Sequence, residues 1–405
     1  MNRRIIAARG LRGFVDGLVS VVLAGYLAQA GFSAVEIGAI ATATLLGSAL
    51  LTLGVGLAGT RLAPRSVLLF ACALMTATGL GFASVESFAL LLAVAFVGTL
   101  NPTAGDVSVF LPTEQALLGR EDDVRARTAL FARYNVAGTL LGALGALASG
   151  LPELAASQFG VALPTALRSV FLVYALCGAT LVAIYAGLGS AAGRPAVAAK
   201  RAPLERSRRI VLKLTALFAL DSFGGGFAVQ SLVALWLFQR FGFSLAQAGA
   251  FFSVAALLSA LSQFVSPRLA ERFGLINTMV YTHIPANLFL IAAAFMPTAP
   301  LALVFLLARS SLSQMDVPAR QSYVMAVVPP EERAAAASVT NVPRSLTSAL
   351  SPLLAGALLA RSTIGWPLVA AGVLKLAYDF LLLHQFRAVP ATSDGLTSSA
   401  GPTSR

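Results

Sequence analysis

Gly31-Phe-Ser-Ala-Val-Glu-Ile-Gly-Ala-Ile40 returns 211 residues later as Gly242-Phe-Ser-Leu-Ala-Gln-Ala-Gly-Ala-Phe251. Each copy sits between two long apolar runs, so the stretch marks a turn that the chain makes twice. Other polar marks keep nearly the same distance. Arg61-Leu-Ala-Pro-Arg65 recurs as Arg268-Leu-Ala-Glu-Arg272, Asp106 matches Asp316, Asp16 matches Asp221, and Arg133 matches Arg344. Echoes at one offset from end to end mean an internal duplication. In membrane chains such duplications build transporters around a site between the two halves.

The composition places the chain in a membrane. Of its 405 residues 57% are hydrophobic and 11% charged, where a soluble domain carries roughly 25% charged residues; the mean hydropathy is +0.81. Apolar runs long enough to cross the hydrocarbon core recur throughout. Twelve fit, near 11–30, 34–58, 66–83, 87–112, 127–150, 165–189, 210–238, 244–265, 275–295, 299–324, 335–360 and 364–386. The first is read as a retained helix and not a signal peptide: it is full length, contains Asp16 and has no small-residue cleavage site behind it.

The net charge of +12 is interpreted by where it sits. Arginines and lysines crowd every second gap: Arg3 to Arg12 before the first span, Arg61 and Arg65, Arg120 to Arg127, Arg194 to Arg209, Arg268 and Arg272, and Arg333. The alternate gaps hold little beyond Arg168, Arg240 and Arg361. This alternation is the positive-inside pattern of a multi-pass protein of the cytoplasmic (inner) membrane with both termini in the cytoplasm. A nucleic-acid partner would call for a clustered basic face instead. Cys72, Cys177, His283 and His384 show no metal-ligand spacing and no partner, so neither a disulfide nor a metal is expected, and no other cofactor. The partners expected are a small-molecule substrate, protons and the lipid bilayer, and the chain is expected to act as a monomer.

The expected organisation is a six-helix bundle at 1–190, a cytoplasmic linker rich in Ala, Pro and Arg at 191–209, a second six-helix bundle at 210–388 and a disordered tail at 389–405. The fold class is therefore all-α, with twelve transmembrane helices in two pseudo-symmetric bundles. Leu269-Ala-Glu-Arg-Phe-Gly274 between spans eight and nine resembles the short Gly-x-Leu-Ala-Asp-Arg-x-Gly loop of the major facilitator superfamily, with Pro267 at the first Gly and Leu275 where a second basic residue is usual. Leu62-Ala-Pro-Arg65 is its degraded first-half copy, and Pro329-Pro-Glu-Glu-Arg333 resembles the superfamily's signature after span ten. The expected branch is the drug and proton antiporters, whose fifth span carries Gly-Pro-x-x-Gly-Gly; span five here has Gly138, Gly142 and Gly145 without that proline, while span eleven offers Ser351-Pro-Leu-Leu-Ala-Gly356.

An Asp in mid-membrane costs about 2.5–3.5 kcal/mol, and spans one, four, seven and ten each carry one: Asp16, Asp106, Asp221 and Asp316. The resemblance implies that these four helices line a central cavity. At about 1.5 Å per residue, all four acids fall roughly 4 to 10 Å to the cytoplasmic side of the midplane. Asp106 and Asp316 are expected to form gate salt bridges with Arg65 and Arg272 or with Arg133 and Arg344. Asp16 and Asp221 have no cation one turn away apart from Arg12, which is expected to snorkel from the membrane edge, so they are the candidates for proton coupling. Capping or buried hydrogen bonding is the competing reading for that pair.

Residues without a repeat counterpart are better candidates for the solute. Arg309 is near the middle of span ten, where the offset puts Thr99 in the first half, and Arg309, Ser313, Asp316 and Arg320 share one helix stripe. Arg309 is expected either to hold an anionic group or to neutralise an acid of the ring. Asn101, Ser311, Gln314, Gln230 and Thr103 are expected to hydrogen-bond the solute, and Tyr26, Phe223 and Phe227 to wall it. Lys375 and Asp379, four apart in span twelve, are expected to neutralise each other. No Walker-type loop is present and no nucleophile with a base, so neither nucleotide hydrolysis nor an enzyme is expected. The first expectation is proton antiport, hence efflux of amphipathic compounds, by alternating access; the second is proton symport that imports an anionic metabolite through Arg309.

Overall fold

The computed structural model describes residues 1–58, 62–103, 108–119, 121, 123–188 and 204–386. Asp106, Arg61, Arg120, Arg194, Lys200, Arg201, most of the expected linker and the expected tail lie outside the described residues.

The repeated stretch proves to be a helix stop followed by a helix start. Gly31 and Gly242 take left-handed φ values of 88° and 64°, which a residue with a Cβ resists. The phenylalanine after each glycine reaches back into the finished helix, Phe32 N–H to Leu27 at 3.0 Å and Phe243 N–H to Leu237 at 3.4 Å. Ser33 and Ser244 then open the next helix. The Glu36 N–H donates to the Ser33 hydroxyl at 3.3 Å while the Glu36 carboxylate accepts the Ser33 N–H at 2.8 Å. Gln247 and Ser244 exchange the same two bonds at 3.1 and 3.0 Å. Two orphan donors are thereby satisfied at each turn.

Backbone groups in hydrocarbon must pair within their own segment, and the described chain is helical with no strand. The first six crossings are α1 (Asn2–Gln29), α2 (Ala34–Ala58), α3 (Pro64–Ser84), α4 (Phe88–Val97) with α5 (Phe110–Leu118), α6 (Val124–Leu147) extended by α7 (Leu151–Phe159), and α8 (Leu163–Ala186). The second set begins with α9 (Arg208–Gly226) and α10 (Gln230–Phe241), then α11 (Leu245–Gln263). A short α12 (Ser266–Phe273) connects to α13 (Leu275–Phe295). Span ten is α14 (Ala299–Ser310) with α15 (Asp316–Ala326), and α16 (Arg333–Arg361) and α17 (Trp366–Phe386) complete the bundle. Among the described residues nine helical stretches are long and apolar enough to span alone; the other three crossings are the broken spans four and ten and the more polar α16.

Packing repeats as the sequence does. In the first bundle α1 runs along α6 and α8, α3 along α8, and α2 along α4; in the second α9 runs along α16 and α17, α13 along α17, and α11 along α14. Shifted by 201 residues, Lys375 onto Tyr174, every buried position of α17 falls on a buried position of α8.

α1 meets α10 and α11 across the interface, and the longest crossings between the bundles are α2 with α16 and α6 with α11. Both are close. A Cβ on Gly38 would lie 2.5 Å from the Pro352 carbonyl oxygen, and one on Gly249 would collide with the carbonyl of Ala146, the small-residue contact that lets helices approach in lipid. Hydrogen bonds reinforce the half away from the linker. Ser149 donates to the Leu245 carbonyl at 3.0 Å, Glu153 accepts the N–H groups of Leu245 at 2.8 Å and Ala246 at 3.3 Å, and Leu353 N–H reaches Thr42 at 2.9 Å. On the linker side α2, α5 and α16 part around a groove of about 410 Å³, lined by Leu53, Leu57, Leu111, Asn341 and Val342 among others. Among the described residues the bundles are hydrogen-bonded at one face and leave a groove between them at the other.

At the linker face Glu332 clasps the start of the second bundle. Its carboxylate accepts N–H groups of Glu205 at 3.1 Å, Arg206 at 2.9 Å and Ser207 at 3.0 Å, and the Ser207 hydroxyl as well. The Ser207 hydroxyl and these backbone donors pull its pKa from 4.5 down to about 2.

Candidate functional site

Span ten is not the continuous helix that the polar stripe implied. Residues 311–315 form turns between α14 and α15, so Arg309 ends one helix and Asp316 begins the next, with its charge toward a positive helix end. Span seven breaks likewise between Gly226 and Gln230. The breaks face one cavity of about 570 Å³ between the bundles, whose walls come from α1, α2, α6, α9, α10, α11, α13, α14, α16 and α17. Irregular backbone at membrane depth belongs where it lines such a space.

Among the described residues the charges on that wall are Arg9, Arg309, Arg344 and Lys375, with Asp221 as the carboxylate. Arg309 has no salt-bridge partner among the described residues, and its Nε has no hydrogen-bond acceptor. Gln230, Ser310, Ser313 and Gln314 supply neutral polar groups, and Phe251 and Phe252 the aromatic surface. A smaller space of about 70 Å³ adjoins through Gln230, Arg9, Thr103 and Phe252 and is also lined by Asp16 and Asn101.

Behind the cavity wall an ion cluster fills the core of the second bundle. Asp221 accepts from Lys375 Nζ at 2.6 Å and from Arg320 at 3.4 Å, and Arg320 also holds Asp316 at 3.1 Å. His283 Nδ1 lies 2.8 Å from Asp379, whose second oxygen accepts from Asn287 at 3.0 Å, while His283 Nε2 points at Asp221 from 3.8 Å. Arg344 Nε donates to Ser222 at 3.1 Å. Charges so deep persist because each has a partner.

Several expected contacts are replaced. Asp221 is ion-paired rather than alone, because Lys375 arrives from α17, a distance no local spacing reveals. Lys375 and Asp379 are therefore not a pair; they reach different neighbours, and His283 has partners after all. Asp316 pairs with Arg320, not with Arg272 or Arg344: Arg272 is exposed and stacks on Phe273, Arg133 is exposed on α6, and Arg65 is half-buried at the start of α3. Tyr26 is in the first bundle's core, its hydroxyl on the Phe82 carbonyl at 2.7 Å and its ring 4.7 Å from Phe171. Phe223 and Phe227 pack on each other at 5.5 Å, and Ser311 donates to the Ala308 carbonyl at 2.7 Å. Asn101 accepts from Thr103 at 3.0 and 2.8 Å, and Gln230 donates to Ser20 across the bundle interface at 2.9 Å.

Arg12 does not snorkel. It is 2% exposed and bonded to Glu114, which is 0% exposed and also accepts the hydroxyls of Tyr134 at 2.7 Å and Tyr185. Glu114 was legible as an acid in an apolar stretch; its partners, far away in sequence, were not. The two clusters have no image of one another. The repeat puts Val324 at the place of Glu114 (the offset of Asp316 on Asp106), and the 201-residue register puts Tyr174 and Gly178 at the places of Lys375 and Asp379.

Known proteins agree with this architecture. An uncharacterised membrane protein of Saccharomyces cerevisiae is 25% identical over 418 residues, covering 94% of this chain and 93% of its own length. Three solved structures share the fold at low identity. They are a D-xylose-proton symporter (13% identical, TM-score 0.73, 96% of this chain and 98% of that one), the nucleoside transporter NupG (14%, 0.70, 95% and 99%), and a bacterial homologue of the human lysosomal transporter Spinster in an inward-facing, occupied state (18%, 0.68, 95% and 97%). The Major Facilitator Superfamily profile matches residues 5–315, and with two bundles repeated around a central cavity the chain belongs to that superfamily of membrane transporters.

Proposed function

We propose that the protein is a proton-coupled secondary transporter that carries a small organic anion through the cavity between its bundles by alternating access. The observation that carries this reading is Arg309 on the cavity wall, which has no counter-charge among the described residues and shares that wall with Arg344. A desolvated guanidinium without a carboxylate is a standing cost that a bound anion would relieve. Arg309 and Arg344 then take the negative group, Gln230, Gln314 and Ser313 its neutral polar atoms, and Asp221 with Asp16 carry the proton linkage. The gate role of Asp106, Asp316, Arg65, Arg133, Arg272 and Arg344 belongs to states in which the linker side closes. The domain division at 191–209, insertion in the cytoplasmic membrane with both termini inside, and action as a monomer complete the proposal.

Efflux of amphipathic compounds is the second reading, favoured by one observation: the largely apolar groove between α2 and α16 shares Leu45 and Ser348 with the central cavity. Purified protein in vesicles with an imposed pH gradient separates the two. Uptake of labelled organic anions driven by the gradient supports symport. Charged hydrogen bonds contribute about 1.5–3 kcal/mol, so Arg309→Ala should weaken anion binding roughly ten- to hundredfold. Gradient-driven export of lipophilic cations, undisturbed in Arg309→Ala, would reject the anion reading.

A further inference from the structure

The chain contains two histidines, His283 and His384. His384 is exposed at the end of α17. The side chain of His283 is 5% exposed and stands behind the cavity wall, between two carboxylates. Its Nδ1 faces Asp379 at 2.8 Å and the Asn287 amide nitrogen at 3.3 Å. The shorter contact is to a carboxylate that can only accept, which favours the proton on Nδ1 of the neutral ring and leaves Nε2 as the acceptor, 3.8 Å from Asp221 Oδ1. The same Asp221 oxygen is held by Lys375 Nζ at 2.6 Å, and Lys375 is on the cavity wall whereas His283 and Asp379 are not. One carboxylate oxygen thus stands between a cation that faces the solute and an imidazole that does not.

Building on the proton-coupled anion reading above, we propose that His283 is a further proton-binding site of the transporter, acting on Asp221, and that its protonation frees Lys375 to join Arg309 in holding the anion. A proton taken up at Nε2 turns the ring into a double donor spanning Asp379 and Asp221. No bond to carbon changes and no group leaves; the only transfer is one proton from water to nitrogen. With imidazolium satisfying Asp221 from behind, the ammonium of Lys375 is redundant on that oxygen and turns to the cavity. Proton and anion then favour each other's binding by the same factor, as linkage requires.

The surroundings of His283 support this role. From α9 it meets Asp221, and from α17 Asp379 and the ring of Tyr378, 6.0 Å away, with Lys375 reaching it through Asp221. From α15, Arg320 and Asp316 reach it through Asp221. On α14 the charged residue is Arg309, on the cavity wall; on α12, Arg268, Glu271 and Arg272 are at the linker face. Asn287, one turn along α13, fixes the second oxygen of Asp379 at 3.0 Å, the kind of hydrogen bond that sets which ring nitrogen keeps its proton. By packing register Cys72 occupies the place of His283 in the first bundle (the offset of Gly242 on Gly31), so the device exists once.

The test uses the full-length protein in lipid nanodiscs, with protons as the only ligand. His384→Gln leaves one imidazole to follow by nitrogen NMR, and arginine at Lys200 and Lys213 leaves one ammonium. Over a downward pH series in which the protein stays folded, the His283 ring should pass from one to two bound protons, and the Lys375 signal should move with the same midpoint. His283→Gln should abolish the Lys375 response. A His283 ring held in one protonation state across this series would overturn the proposal, and so would a titrating ring that leaves Lys375 unmoved. The measurement needs no transported solute, so a failed anion screen in vesicles would sink the reading of the previous subsection and leave this result separately legible.

Discussion

Glu114→Ala should be among the most damaging single substitutions in the first bundle, although Glu114 touches no cavity wall. The carboxylate is fully buried and serves three donors at once, Arg12, Tyr134 and Tyr185. Its removal takes the carboxylate away from a guanidinium 2% exposed and from two tyrosine side chains that are both 0% exposed. Breaking a buried ion pair from one side costs about 3–5 kcal/mol. The two hydroxyls that lose this acceptor add to the cost, without simple addition because all three donors share one carboxylate. Glu114→Gln should cost less, since the amide oxygen still accepts. The double variant Arg12→Leu with Glu114→Leu should recover most of the loss, because a pair replaced by apolar side chains leaves no uncompensated charge. Reversible unfolding in mixed micelles, or steric trapping in bilayers, measures all three. Stability of Glu114→Ala within about 1 kcal/mol of the parent protein, or a double variant no better than the single one, would refute the argument, since 1 kcal/mol is the ordinary effect of a substitution with no special mechanism.

Glu153→Ala removes the acceptor for two backbone N–H groups of α11 at the closed face. Two net hydrogen bonds of about 0.5–1.5 kcal/mol each should shift the population toward opening there, read as faster alkylation of a cysteine placed at Gln230; unchanged labelling would count against this latch. The Glu332 clasp gives a pH dependence with a definite sign. Its carboxyl is held below its free value, so the contribution is complete above about pH 4.5 and is lost as the pH falls toward about 2. A thermal stability profile taken downward from pH 6 should show a drop below pH 4.5 that Glu332→Gln abolishes; parallel profiles would refute the clasp.

The sequence makes legible whatever depends on local order. Turns built from Gly31 to Glu36 and from Gly242 to Gln247 contain their own stop and start signals, and the alternating basic gaps need no partner to be counted. Asp221, Lys375, His283 and Asp379 were each visible as polar marks in apolar spans, yet their pairing depends on which faces of α9, α13 and α17 meet. Reading Lys375 and Asp379 as a local pair failed for that reason: the two side chains leave α17 toward α9 and α13, respectively. Arg309 was legible because it breaks the repeat, and breaks in a repeat are where a duplicated chain has been free to specialise.

The cluster around Asp221 also orders events during synthesis. Asp221, His283, Asp316 and Arg320 enter the membrane on α9, α13 and α15, but Lys375 and Asp379 arrive on α17, the last crossing. Until that helix docks, Asp221 and Asp316 share Arg320, while Asp221 lacks the ammonium of Lys375 and His283 lacks the carboxylate of Asp379. The final span is thus the keystone of the half that carries it, and a ribosome that stalls before Trp366 leaves behind a second bundle whose charge cluster is only half built.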